Sequence, residues 1–187
     1  MIRKIAVAVA LVLAVVMAAA QTDAERKPEF PAKVDAQQAF AKLKALAGTW
    51  QQRSTKGWEG KSSIRVIARG SAVMMSNEFT DAPGEGMATL FFIDGERLLV
   101  THYCEAGNQP TLAARGASAD GRRIYFTLEN ATGIDKPSEG RMDALILTFG
   151  GTDSYSEQWT FSREGKQQWM EEIELRRAPA ESASSGN

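Results

Sequence analysis

After Gly48 no stretch of this chain keeps a helical period; apolar and polar residues alternate instead, in runs short enough for strands. Ten such runs can be read, at 49–54, 62–68, 72–79, 87–93, 97–104, 111–118, 123–129, 142–149, 154–163 and 167–176. Turn chemistry separates them: Gly70-Ser71, Pro83-Gly84, Asp94-Gly95, Asn108 to Pro110, Asp120-Gly121, Gly150-Gly151 and Glu164-Gly165. Strands joined by tight turns, with no helix between them, make an antiparallel meander. An open meander of ten strands presents two rows of unpaired backbone, and closing the sheet on itself removes both. The spacing therefore predicts an all-β fold, a closed antiparallel up-and-down β-barrel of about ten strands.

One short N-terminal helix precedes the strands. Asp35 can cap it, and Gln38 three residues on completes a capping box. Phe40, Leu43 and Leu46, with Ala39 and Ala47, fall on one stripe, and Gly48 ends the segment. A helix over 35–47 is expected to close one end of the barrel and leave the other open.

Two hairpins name the inward face. A three-residue turn at Glu164-Gly165-Lys166 sets Phe161 opposite Trp169, Trp159 opposite Glu171, Glu157 opposite Ile173 and Tyr155 opposite Leu175. A slip of one residue would turn every one of these side chains over, so the apolar face selects the register. The same treatment of Asp120-Gly121-Arg122 pairs Ile124, Phe126 and Leu128 with Ser118, Gly116 and Ala114.

Both ends of the chain differ from this pattern. Arg3 and Lys4 precede an apolar run from Ile5 to Ala20, and Gln21-Thr22-Asp23 then turns polar. That order reads as a secretory signal at 1–20, cleaved near Ala20, with the periplasm or the exterior as destination. The run falls short of the roughly 20 apolar residues of a spanning helix, so no membrane span is expected after cleavage. Residues 21–34, with Pro28 and Pro31, read as a disordered tether, and 178–187 as a disordered tail. The barrel domain is thus expected at 35–177. Cleavage takes Arg3 and Lys4 from the 22 basic residues and none of the 23 acidic ones, leaving a net charge near −3. That balance, without a basic stripe, gives no footing for nucleic acid. Cys104 is the single cysteine, so the chain has no internal disulfide.

The segment Leu46-Ala47-Gly48-Thr49-Trp50, a glycine-x-tryptophan opening the first strand after a short helix, resembles the start of the calycin superfamily of lipocalins, fatty-acid-binding proteins and nitrobindin-like haem barrels. Thr101-His102-Tyr103-Cys104 through Gly107-Asn108-Gln109-Pro110 is similar to a group of exported bacterial barrel proteins of unassigned function. The resemblance spans about 40–177. It implies that Trp50 plugs the closed end, that Gly48 lets helix and strand approach, and that Arg176 or Arg177 lies across the indole. Departures from the pattern limit what carries over. Arg65 and Arg115 alternate with the inward residues and so point outward, unlike the carboxylate-gripping arginines of fatty-acid-binding proteins. The lone histidine, His102, sits mid-chain, where nitrobindin-like barrels carry their haem ligand near the C-terminus, so haem is not expected.

The residues able to carry chemistry are few. His102 and Cys104 are two apart on one strand and share a face with Leu98 and Val100. A zinc site wants four donors, and no second histidine or cysteine exists, so no metal and no cofactor is expected. If buried, His102 needs a hydrogen-bond partner; Tyr155, Asn77 or a turn carbonyl are the candidates. Glu157 and Glu171 lie diagonally on the inward face beside Trp159, Phe161 and Trp169, within possible reach of one another. His102, Cys104, Tyr155, Glu157, Trp159, Trp169 and Glu171 are therefore the candidate ligand-contacting set. Three readings stand: a barrel binding a small apolar or amphiphilic molecule; an enzyme using Glu157, Glu171 and His102 as acid and base; and a ligand-free structural or interaction protein of the envelope. The residues identify no ligand and no oligomeric state.

Overall fold

Backbone pairing runs unbroken around the molecule, and the order of neighbouring strands returns to its starting point. The computed structural model describes residues 32–84, 86–136 and 138–179. The expected signal at 1–20, residues 21–31 of the tether expected at 21–34, and residues 180–187 of the tail expected at 178–187 lie outside them. Ala32 exchanges two backbone hydrogen bonds with Ala117, of 3.2 and 2.9 Å. Helix α1 follows at Ala36–Ala45. The strands are β1 Gly48–Ser54, β2 Glu59–Ile67, β3 Ala72–Phe79, β4 Gly86–Asp94 and β5 Arg97–Tyr103, then β6 Gln109–Ala117, β7 Arg123–Thr132, β8 Arg141–Phe149, β9 Ser154–Arg163 and β10 Lys166–Arg177. All are antiparallel to their neighbours, and β10 closes the barrel on β1 with Trp50 opposite Arg177 and Ser54 opposite Ile173. The ten-strand closed barrel with one short helix is the fold the alternation predicted.

Local chemistry explains the helix. The Asp35 carboxylate accepts the Gln38 backbone N–H at 2.9 Å, satisfying one of the four amide groups a helix start leaves unpaired. Ala36, Ala39, Phe40 and Leu43 are buried, and α1 packs over β4 and β5 at one end of the barrel. Beneath it the Trp50 indole is fully buried and donates to the Leu46 carbonyl at 2.8 Å. The Arg177 guanidinium lies 4.3 Å from the Trp50 ring and donates to the carbonyls of Ala47 and Thr152 at 3.0 and 2.9 Å. Of the two arginines implied by the resemblance, Arg177 is the one that locks this end. Gly48 makes room for it: its φ is +137°, and a Cβ there would meet the Arg177 guanidinium at 2.7 Å.

The interior between helix and mouth is filled. Phe91, Val100, Leu112, Phe126 and Leu145 are at most 1% exposed, and burial of side chains of this size stabilises by about 1.5–3 kcal/mol each.

Both hairpins depart from the expected turns. The β9–β10 turn has two residues, Glu164 and Gly165, with φ of +52° and +70°, and Lys166 pairs with Arg163. Two central residues at positive φ are what a type I′ turn requires, and its twist suits the strands. A bulge between Gln167 and Trp169 then restores Trp169–Phe161, Glu171–Trp159, Ile173–Glu157 and Leu175–Tyr155. The pairs are as expected although the turn is not. In the second hairpin the register itself differs: Ile124, Phe126 and Leu128 face Ala117, Ala114 and Leu112, not Ser118, Gly116 and Ala114. Ser118 pairs with Arg123 through its backbone and accepts the Arg123 N–H on its hydroxyl at 2.9 Å, while Asp120 accepts the Arg122 N–H at 3.0 Å. These side-chain bonds favour a longer loop, and a bulge at Arg115 keeps the apolar face inward.

Candidate functional site

The inward residues of β9 climb the barrel from floor to mouth. Tyr155 lies edge-on to Trp50 with ring centroids 4.9 Å apart, at the floor. Its hydroxyl sits beside Ser62 and Glu157, and burial holds the phenol well above its ordinary range. One step up, Glu157 is buried and accepts the Trp159 indole N–H at 2.9 Å. Burial pushes the Glu157 carboxyl up, and the hydrogen bond from Trp159 and the neighbouring Tyr155 phenol only partly oppose it. His102 joins from β5, its ring 4.8 Å from that of Trp159. It shares a 2.9 Å hydrogen bond through Nδ1 with the Thr89 hydroxyl, the residue directly opposite on β4. Tyr155, Asn77 and turn carbonyls are thus not its partners. Burial alone lowers the His102 pKa to about 4, so the ring is neutral at pH 7, and its Nε2 has no hydrogen-bond partner among the described residues.

Above this polar layer the barrel opens into a cleft of about 570 Å³. Its walls are aromatic: Phe161 stacks on Trp169 at 4.9 Å and an interplanar angle of 4°, and Trp58 meets Phe79 edge-on at 4.9 Å. Met87, Met142 and Cys104 complete the apolar lining. Strand ends place all of them together, because the loops after β1, β3, β5, β7 and β9 open at the same end. Gly140, just before β8, leaves space for the Phe161 ring, which a Cβ would approach to 2.3 Å. At the inner edge of the cleft Glu171 is 8% exposed; its Oε1 accepts from the Ser54 hydroxyl and, at 2.6 Å, from the Trp58 indole. Cys104 follows the last residue of β5 and is half-buried, and burial pushes its thiol up.

The seven residues singled out in the sequence therefore fall into two layers. Tyr155, Glu157, Trp159 and His102 make the buried polar layer; Cys104, Trp169 and Glu171 line the cleft. His102 and Cys104 do not act as a pair, since one is buried beside Thr89 and the other sits past the strand end at the mouth. Glu157, Glu171 and His102 each take different partners, and no hydrogen bond joins any two of them among the described residues. Trp58, Phe79 and Met142 escaped the sequence reading. Trp58 falls in Lys56-Gly57-Trp58-Glu59-Gly60, between two readable strands. A tryptophan among turn residues was the available signal.

No group of three or more histidine, cysteine, aspartate or glutamate side chains able to hold a metal occurs among the described residues. No helix among them is long and apolar enough to cross a membrane.

No protein-family model and no curated protein matches the chain. Solved structures do. Rv2717c from M. tuberculosis is 15% identical, with a TM-score of 0.52 over 75% of this chain and 98% of that one. A protein of unknown function from the DUF3598 family of Nostoc punctiforme is 11% identical, with a TM-score of 0.46 over 73% of this chain. The chain spans about half of that protein's length, 49%. A designed fluorescence-activating β-barrel is 14% identical, with a TM-score of 0.36 over 78% of this chain and the whole of the other. At these identities the likeness to the M. tuberculosis protein speaks for the fold alone.

Proposed function

We propose that this chain is an exported barrel that binds a small apolar or amphiphilic molecule, non-covalently, in the cleft at its open end. The observation that carries the reading is the 570 Å³ cleft walled by Trp58, Phe79, Phe161 and Trp169. Clefts of about 300–1,000 Å³ with apolar walls and a few placed polar groups are the usual form of a small-molecule site. Aromatic walls supply a large contact area at little cost in side-chain entropy. The buried polar layer beneath acts as the floor of the site. Export rests on the order of charges and apolar residues in the first 23 positions.

The test is a titration with N-phenyl-1-naphthylamine, a neutral apolar dye whose emission rises and shifts to the blue on leaving water. Saturable one-to-one binding that Trp169→Ala weakens by about tenfold, near the 1.4 kcal/mol expected for losing an aromatic contact, supports the reading. No saturable binding by the wild-type chain overturns it.

A further inference from the structure

The charge of the cleft is one-sided. Glu59, Asp81, Glu105 and Glu171 all line it, and among the described residues the basic side chain that reaches its aromatic wall is Lys56, over the Trp169 ring. Glu59 already has a cation, the exposed Arg53 guanidinium at 2.7 Å. Asp81 and Glu105 are exposed at the rim and Glu171 is buried at the inner edge, so negative charge surrounds the aromatic walls from lip to floor. A second feature shows what such a surface holds. The Lys56 ammonium, from the exposed tip of the β1–β2 hairpin, sits 4.2 Å from the centroid of the Trp169 ring. Its backbone is held in place by a 2.9 Å hydrogen bond to the Ser54 hydroxyl, the same residue that bonds Glu171. An ammonium thus already covers a face of Trp169, one of the rings of the cleft wall.

We infer that the cleft selects an organic cation, a protonated or quaternary amine on an apolar body, and that Lys56 is the chain's own occupant of the cation position. This rests on the cleft being the binding site proposed above. An indole face attracts a cation through its quadrupole, and more strongly where water is partly excluded. Carboxylates spaced around the walls favour a cation on approach and when bound, and oppose a fatty-acid-like anion. The incoming cation displaces Lys56 from Trp169, and the flexible hairpin-tip side chain returns to solvent. Lys56 therefore lowers affinity for cations while keeping the ring covered when the cleft has no guest.

Three probes sharing one eight-carbon chain test this on the full folded chain: octyltrimethylammonium, 1-octanol and octanoate, each competed against N-phenyl-1-naphthylamine. The cation is expected to bind about tenfold more tightly than the alcohol, the scale of one desolvated cation–π contact, with octanoate weakest. Lys56→Met is expected to raise affinity for the cation at least about threefold and leave the alcohol unchanged. Lys61→Met, which removes the same charge outside the cleft, sets the background effect of net charge. Asp81→Asn, at the exposed rim, should weaken the cation and spare the alcohol. Equal affinity for cation and alcohol, tighter octanoate, or identical gains in Lys56→Met and Lys61→Met would overturn the cation inference while the dye still binds. Failure of the dye and all three probes would overturn the binding reading as well.

Discussion

At the scale of single residues, His102 shows how burial decides chemistry. A histidine on an inward strand could have been a ligand, a base or a core residue. Its hydrogen bond to Thr89 and its contact with Trp159 make it a neutral, buried ring. The sign of the resulting pH dependence follows from its lowered pKa. The unfolded chain binds a proton at His102 below about pH 6.5, and the folded chain only below about 4, so stability is complete above 6.5 and is lost as pH falls through that window. Between pH 7 and pH 4.5 the loss amounts to about 2–3 kcal/mol. Glu157 works in the opposite sense. Its raised folded pKa stabilises below its unfolded value, and that contribution is lost as pH rises. Urea unfolding of wild type and His102→Leu at the two pH values separates them. Wild type is expected to lose about 2 kcal/mol more than the variant on acidification; equal losses would show that His102 titrates normally in the fold.

Elements are joined here by turns that the amino-acid pattern only half describes. The β9–β10 hairpin is the clearest case. Glu164 holds φ +52° without being glycine, a conformation that is disfavoured for a side chain of its kind. Asparagine followed by glycine is the pair best suited to a type I′ turn. Glu164→Asn is therefore expected to stabilise by about 0.5–1 kcal/mol, raising Tm by a few degrees without changing dye binding. A drop in Tm would mean that Glu164 is not strained in this turn. The bulge after Gln167 matters more for the site. It restores the inward face after a turn one residue shorter than the apolar pattern asked for, and so keeps Trp169 on Phe161.

For the whole molecule, the two ends of the barrel do different work. One is locked by α1, Trp50 and Arg177; the other gathers the ends of five hairpins around the cleft. Cys104 reports on that open end because its thiol lines the cleft yet is only half-buried. Iodoacetamide should alkylate it slowly at pH 7.5, since burial disfavours the thiolate that reacts. Saturating N-phenyl-1-naphthylamine is expected to slow alkylation at least about fivefold, as a bound guest excludes the reagent. Unchanged alkylation, measured by intact mass over time, would place the dye somewhere other than this cleft.

Strand number, strand position and the inward face of β9 and β10 follow from the sequence by itself, because alternation is local and a one-residue slip would expose an entire apolar face. Barrel closure follows nearly as directly, since ten strands in sequence order leave edges that only pairing β1 with β10 removes. The capped helix and Trp50 are legible for the same reason: cap, stripe and stop lie within fifteen residues of each other. Tertiary structure alone decided which inward residues meet. Thr89 lies thirteen positions from His102 and becomes its partner through the β4–β5 register. Ser54, Trp58 and Glu171 converge although 117 positions separate the first from the last, because barrel closure sets β1 beside β10. The loop at Ser118–Arg123 was decided by side-chain hydrogen bonds that apolar alternation does not encode. The cleft itself belongs to no segment: its walls come from six strands and the loops between them, and only the stagger of a closed barrel brings them to one end.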